Sequence, residues 1–265
     1  MSLAVSAAQL AANSDDDRLV VTNNAVIVLD GATAHDPSMP TAGKYVDHLA
    51  DDLAELIEEP RELPDVLRSA VERTSTALNL SPGAAPSSTV VLIRVHPSTV
   101  EALVLGDSSA IFGHRGGGVT VHTDERLSEL DLREANTYRE RLAAGSGYDE
   151  EHRSILQALQ TAERSHRNQP GGYWIAEAEP NAASHALHVR YPRDEVSWAI
   201  AATDGVSDSM PRLNTNWADL ARMTQPQLCD FLDVMRAWEA ETDPNGARLP
   251  RAKRHDDKTV AVIHL

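Results

Sequence analysis

The chain has 265 residues and a formal net charge of −16, from 24 Lys and Arg against 40 Asp and Glu. Nucleic acid and anionic membrane surfaces are bound by clustered Lys and Arg, so this balance excludes both as partners. Hydrophobic residues make up 42% of the chain, enough for a folded core, and without an evident linker the length reads as one domain, 1–265.

In chain order, Arg18–Thr22 and Ala25–Asp30 are predicted strands around Asn23-Asn24, a pair that tolerates a tight hairpin turn. After a loop marked by Pro37, Pro40 and Gly43, Lys44–Glu58 has helical spacing, with Val46, Leu49, Leu53, Leu56 and Ile57 on one face. Pro60 and Pro64 break it, and Asp65–Leu80 is a second amphipathic helix. Ser81–Ser88 is a loop. Strands are predicted at Thr89–Val95 and Thr99–Leu105, then at Ser109–His114 and Val119–His122 around the turn Gly116-Gly117-Gly118. Helices follow at Leu130–Ala144 and Glu150–Arg167, and 173–195 reads as irregular. Ser197–Thr203 is a buried strand, Trp217–Met223 and Gln225–Ala240 are helices, Thr242–His255 is a loop, and Thr259–Leu265 is a closing strand. Hairpin-paired strands with helix pairs between them indicate an α+β fold with antiparallel sheets.

Cys229 is the only cysteine, which excludes a disulfide framework and a thiolate zinc site and fits a reducing cytoplasm. Apolar runs stop at five residues (Ala25–Leu29, Trp198–Ala202), against the roughly 20 that a spanning helix needs. Met1–Asn13 lacks the basic start of a signal peptide. These features lead us to expect a cytoplasmic protein.

The acids are unevenly placed. Residues 1–60 hold eleven Asp and Glu against Arg18 and Lys44, a local charge of −9. A pattern also recurs along the chain: buried strands run into Asp30-Gly31, Gly106-Asp107 and Asp204-Gly205, while Asp256-Asp257 stands just before the last strand. Antiparallel neighbours bring strand ends and strand starts to one edge, so these acids can gather there. Crowded carboxylates need protons or a cation, and an all-oxygen set favours Mg²⁺ or Mn²⁺ over zinc. Each Asp-Gly taken singly is an ordinary turn. The recurrence, with the inverted Asp256-Asp257, points to a metal centre.

The order of these pieces resembles the PPM (type 2C) metal-dependent protein phosphatases. The resemblance rests on Val28-Leu29-Asp30-Gly31, Ser87-Ser88-Thr89, Val104-Leu105-Gly106-Asp107-Ser108-Ser109-Ala110, Ala202-Thr203-Asp204-Gly205-Val206-Ser207-Asp208 and Asp256-Asp257-Lys258-Thr259. Asp16-Asp17 resembles that family's acidic pair, and the likeness spans roughly 13 to 265. It implies a four-layer α-β-β-α sandwich, two antiparallel sheets packed face to face and flanked by helix pairs, with 145–195 as a flap-like insertion. It also implies two Mn²⁺ or Mg²⁺ ions, with Asp30 bridging them, the Gly31 carbonyl binding one, and Asp204 and Asp256 as the other carboxylate ligands. Asp256 is preferred to Asp257 because Thr259, three residues on, matches the family's Ser/Thr. Asp16 would hold a metal-bound water, and Asp107 with Asp204 a third, looser ion. The implied reaction is hydrolysis of phosphoserine and phosphothreonine in a phosphorylated protein, a target of a Ser/Thr kinase, by water that the metals activate.

The chain departs from the family's pattern in two places. Ala32-Thr33-Ala34 follows the first Asp-Gly in place of a glycine-rich or His-bearing loop, with His35 nearby, and Ala12 stands where many members carry a phosphate-binding Arg. Arg18, Lys44, Arg254 and Lys258 are the candidate replacements. Two rival readings follow: a phosphatase of a small phosphorylated metabolite, whose pocket 165–195 would roof, and a weakly active or inactive phosphatase-like binding module. Elsewhere, His185 and His188 lack a convincing third metal ligand, and no Gly-x-Ser-x-Gly elbow surrounds Ser207 or Ser209. Trp174, Trp198, Trp217 and Trp238 read as core or interface residues. The basic run Arg248–Lys258 reads as a solvated loop or as a contact for a phosphorylated or acidic partner.

Overall fold

The computed structural model describes residues 3–12, 15–32 and 39–265. Its strands are β1 (Ala4–Leu10), β2 (Asp17–Val21), β3 (Ala25–Ala32), β4 (Ser87–Val95), β5 (Thr99–Leu105), β6 (Ser109–His114), β7 (Val119–Thr123), β8 (Leu187–Pro192), β9 (Val196–Ala202) and β10 (Lys258–His264). The helices are α1 (Ala42–Leu56), α2 (Leu63–Ala77), α3 (Arg133–Ala143), α4 (Glu150–Arg164), the single turns α5 (Asp204–Ser207) and α6 (Trp217–Leu220), and α7 (Gln225–Ala237). No helix among the described residues is long and apolar enough to cross a membrane.

Two five-stranded antiparallel sheets form, in the orders β1-β10-β9-β6-β7 and β2-β3-β4-β5-β8. The central strands are apolar on both faces because both faces are buried. Successive side chains alternate across a strand. In β3, Ala25, Ile27 and Leu29 meet α1 and α2, while Val26 and Val28 meet the other sheet. In β9 and β10, Ile200, Ala202, Val260 and Val262 pack beneath α7 against Leu228, Leu232 and Met235, and Ala199, Ala201, Ala261 and Ile263 face the slot between the sheets. The result is the expected α-β-β-α sandwich. The α3–α4 hairpin stands apart, with a small core of its own around Tyr138, Leu142 and Leu159.

The helices differ from the sequence reading at their ends. Thr41 caps α1, accepting from the Lys44 N–H, so the helix starts two residues early. Pro64 lies in the first turn of α2, where its missing N–H is an orphan anyway. Two strands were not expected. β1 is made mostly of small residues with little strand preference, and it exists through its seven-residue pairing with β10. β8 lies inside the stretch read as irregular. There Leu187, Val189 and Tyr191 alternate with His188 and Arg190, and the strand pairs with β5.

Antiparallel pairing brings one end of the sandwich together. Asp17 of β2 is opposite Asp30 of β3, Asp30 is opposite Thr89 of β4, and Val90 is opposite Leu105 of β5. In the other sheet Val260 is opposite Ala202, so β9 ends where β10 begins. Starts and ends therefore alternate along one edge, and the acids flanking them converge.

Candidate metal centre

The β2–β3 hairpin turns on Asn23-Asn24, and its register makes Asp17 the cross-strand partner of Asp30. The two share strand parity with Leu19, Val26 and Val28, which line the slot between the sheets. Asp16 has the opposite parity. Its carboxylate is turned to α1, with Oδ1 3.4 Å from the point a Gly43 Cβ would occupy and close to Arg18. Asp17 joins the cluster from within the acidic pair, while the Asp16 carboxylate lies on the α1 side. Asp16 also contributes main chain: its carbonyl accepts from the Gly31 N–H at 3.2 Å, and its N–H donates to Asp257.

Asp204 opens α5, directly after β9. Gly205 follows because the chain passes so close to the Asp257 carbonyl that an added Cβ would lie 2.0 Å from that oxygen. Asp256 and Asp257 divide their work. Asp257 is buried and accepts from the Ala12 N–H at 2.5 Å and the Asp16 N–H at 2.8 Å, tying the N-terminal segment to β10. Asp256 is half-buried on the floor of a cleft and accepts from Lys253 Nζ at 2.9 Å. The Thr259 and Thr203 hydroxyls both donate to Asp17 Oδ2, at 2.7 and 3.1 Å.

Asp107 follows Gly106, whose φ of +88° and approach to Thr89 exclude a side chain. Beside it the Thr89 and Ser108 hydroxyls share a 2.6 Å hydrogen bond. Asp107, Asp204, Asp208 and Asp256 line a cleft of about 670 Å³, walled by Tyr138, Arg139, Leu156 and Leu159 of the α3–α4 hairpin and by Met210 and Trp217. Nothing from 165–195 lines this cleft. The wall comes from earlier in the chain than the expected roof.

The electrostatics describe a site with more negative charge than its cations offset. Burial pushes Asp17 up to about 7 against the Thr259 hydrogen bond, with the Asp257 and Asp204 charges adding to the rise. Burial and then Asp204 push Asp107 up to about 7. Burial, Asp204 and Asp256 push Asp208 up to about 6. Asp30 is raised well above the carboxylate range by burial and by Asp17, Asp204, Asp256 and Asp107, and Asp204 is raised by burial and by Asp256. Asp17 Oδ1 and Asp204 Oδ1 are buried acceptors with no donor. Hard oxygen donors, excess negative charge and orphaned acceptors fit Mg²⁺ or Mn²⁺.

Among the described residues, the trio of side-chain ligand atoms within 4.8 Å of one another is a different one: Glu62, Glu101 and His188. It is a poor cation site, because the Arg94 and Arg190 guanidinium groups already occupy the buried Glu101.

The candidate phosphate cations are committed elsewhere, with one exception. Arg18 bonds Asp47 and the Asp15 and Asp17 carbonyls. Lys258 is fully buried and pairs with Glu239 at 2.7 Å. Arg254 lies over the Tyr148 ring. Lys44 is exposed in the first turn of α1. Lys253, counted in the sequence only as part of the basic run, pairs with Asp256. That run is a tied loop, with Arg251 on Asp243 at 2.7 Å and Lys258 on Glu239. Ala32 ends β3, whereas Thr33, Ala34 and His35 lie outside the described residues. His185 stacks on Trp174 while His188 bonds Glu101, so those histidines do not converge.

A sequence profile for the family described as Protein phosphatase 2C matches residues 8–239. The chain belongs to that family. A sequence comparison with curated proteins gives no match. Solved structures share the fold. Serine/threonine phosphatase Stp1 from Staphylococcus aureus superposes with a TM-score of 0.58 at 12% identity, over 100% of this chain and 96% of that one. The catalytic domain of serine/threonine protein phosphatase PstP, solved with two manganese ions, gives 0.58 at 14%, over 99% and 97%. The Mycobacterium tuberculosis phosphatase PstP/Ppp gives 0.54 at 15%, over 100% and 99%.

Proposed function

We propose that this chain hydrolyses phosphoserine and phosphothreonine in phosphorylated proteins, the products of a Ser/Thr kinase, using two Mn²⁺ or Mg²⁺ ions. The observation that carries the reading is the convergence of Asp30, Asp204 and Asp256 from three separate strand ends, with buried carboxylate oxygens left without donors. Asp30 would bridge the ions, the Gly31 carbonyl would bind one, and Asp204 and Asp256 would complete the protein's ligands. Asp107 with Asp204 would hold a third, looser ion. When bound, the ions lower the pKa of water towards about 7 and offset charge on the phosphoryl oxygens.

The chain's own residues prepare that chemistry. Thr203 and Thr259 hold the Asp17 carboxylate from one side, which leaves its Oδ1 free for a water or cation. Asp257 ties the Ala12 and Asp16 main chain to β10, so the β2 and β10 acids keep a fixed spacing. Asp204 and Asp256 are half-buried and line the cleft. No protein nucleophile is required. A cleft that 165–195 does not roof favours a side chain on a protein over an enclosed metabolite.

The test is hydrolysis of p-nitrophenyl phosphate and of a phosphothreonine peptide, each with Mn²⁺ and with chelator, for the wild type and Asp204→Ala. Mn²⁺-dependent turnover of both, lost in the variant, is expected. No metal-dependent turnover of either sinks the enzyme reading in favour of a binding module. Turnover of the aryl ester with no phosphopeptide cleaved would move the substrate to a small metabolite.

A further inference from the structure

A cation stands beside Asp256, one of the acids that line the cleft. We propose that Lys253 contacts the phosphoryl group of the substrate, an inference that rests on the phosphatase reading above. Lys253 Nζ lies 2.9 Å from Asp256 Oδ1, and its side chain is 45% exposed, so it can leave that partner without crossing the core.

Two other cations of this loop are fixed in ways that Lys253 is not. Arg251 is spent on the Asp243 carboxylate and on the Leu249, Asp243 and Arg254 carbonyls. Lys258 is sealed against Glu239. The backbone that carries Lys253 is anchored on both sides, by Arg251 to Asp243 and by Asp257 to the main chain of Ala12 and Asp16. An anchored loop with a flexible four-carbon stem places one mobile point charge where a phosphate dianion must arrive. Were Asp256 to ligate a divalent ion, its hold on the ammonium would weaken and Lys253 could turn to an anionic oxygen of the substrate.

The experiment uses the Mn²⁺-loaded protein with inorganic phosphate as the probe, its binding followed by calorimetry, beside KM and kcat for p-nitrophenyl phosphate. Lys253→Met should weaken phosphate binding and raise KM, each by roughly 10- to 100-fold, the scale of one charged hydrogen bond. Lys253→Arg should recover most of the loss. Mn²⁺ affinity, titrated without phosphate, should hold or tighten in Lys253→Met, since a competing cation has gone. Unchanged phosphate affinity and KM in Lys253→Met overturn the proposal and leave Lys253 as a counterion of Asp256, with the phosphatase reading intact. Phosphate binding that depends on Lys253 in a protein without turnover supports the contact while the phosphatase reading falls. A wild type that binds no phosphate overturns both.

Discussion

Replacing Asp17 by Asn isolates the electrostatic strain in the acidic cluster. In the metal-free protein the Asp17 carboxyl titrates near 7, against an ordinary value of 3.8. Between those values the folded state keeps a proton that the unfolded state has released. Stability must then fall as pH rises through that window and level off above about 7. At about 1.36 kcal/mol per pH unit, the 3.8-to-7 displacement amounts to about 4 kcal/mol, of which about 3 kcal/mol falls between pH 5 and pH 8. Asn cannot titrate, and its amide oxygen can still accept from Thr259 and Thr203. The advantage of Asp17→Asn over the wild type should therefore grow by about 3 kcal/mol from pH 5 to pH 8, or roughly 6–12 °C in Tm for a domain of this size. Any constant penalty from the altered hydrogen bonds drops out of the slope. The assay is chelator-treated protein unfolded by urea and by heat across that range, repeated with saturating Mn²⁺. The cation should stabilise the wild type most at high pH and flatten its slope. Parallel pH curves for the two chains, or a wild-type slope that Mn²⁺ leaves untouched, would refute the argument.

Two further predictions concern the scaffold under the site. Gly205→Ala puts a methyl group 2.0 Å from the Asp257 carbonyl oxygen, so β10 or α5 must shift. Urea unfolding should register a loss of at least about 1–3 kcal/mol, with Mn²⁺ affinity falling alongside it. Lys258→Met leaves Glu239 buried without its closest cation and should cost about 3–5 kcal/mol. The double variant Lys258→Met/Glu239→Gln should recover a large part of that loss, and a double variant no better than the single one would show that the loss does not come from leaving Glu239 unpaired.

Much of the fold was legible in the sequence, because the strands that matter are apolar on both faces. Ala25–Leu29 and Trp198–Ala202 are continuous runs that make sense only in a layer covered on both sides. The hairpin at Asn23-Asn24 even sets its own register: two turn residues place Asp17 opposite Asp30. Period-two alternation then places Asp17 toward the slot between the sheets and Asp16 toward α1. β8 was legible in the same way, from its alternation. β1 was not, since its small residues form a strand only through pairing with β10.

Local sequence determined which segments are strands, where they turn, and that several of them end in acids. Only the tertiary structure decided which acids meet. Asp256 and Asp257 are adjacent in sequence, yet one faces the cleft and the other ties down the N-terminal segment. Lys253 is one base among several in a basic run, until the loop folds back and sets it on Asp256. Strand pattern is local because alternation needs only neighbours. The meeting of charges from residues 17, 30, 204 and 253 requires the sheets to be stacked first, and no local pattern encodes that.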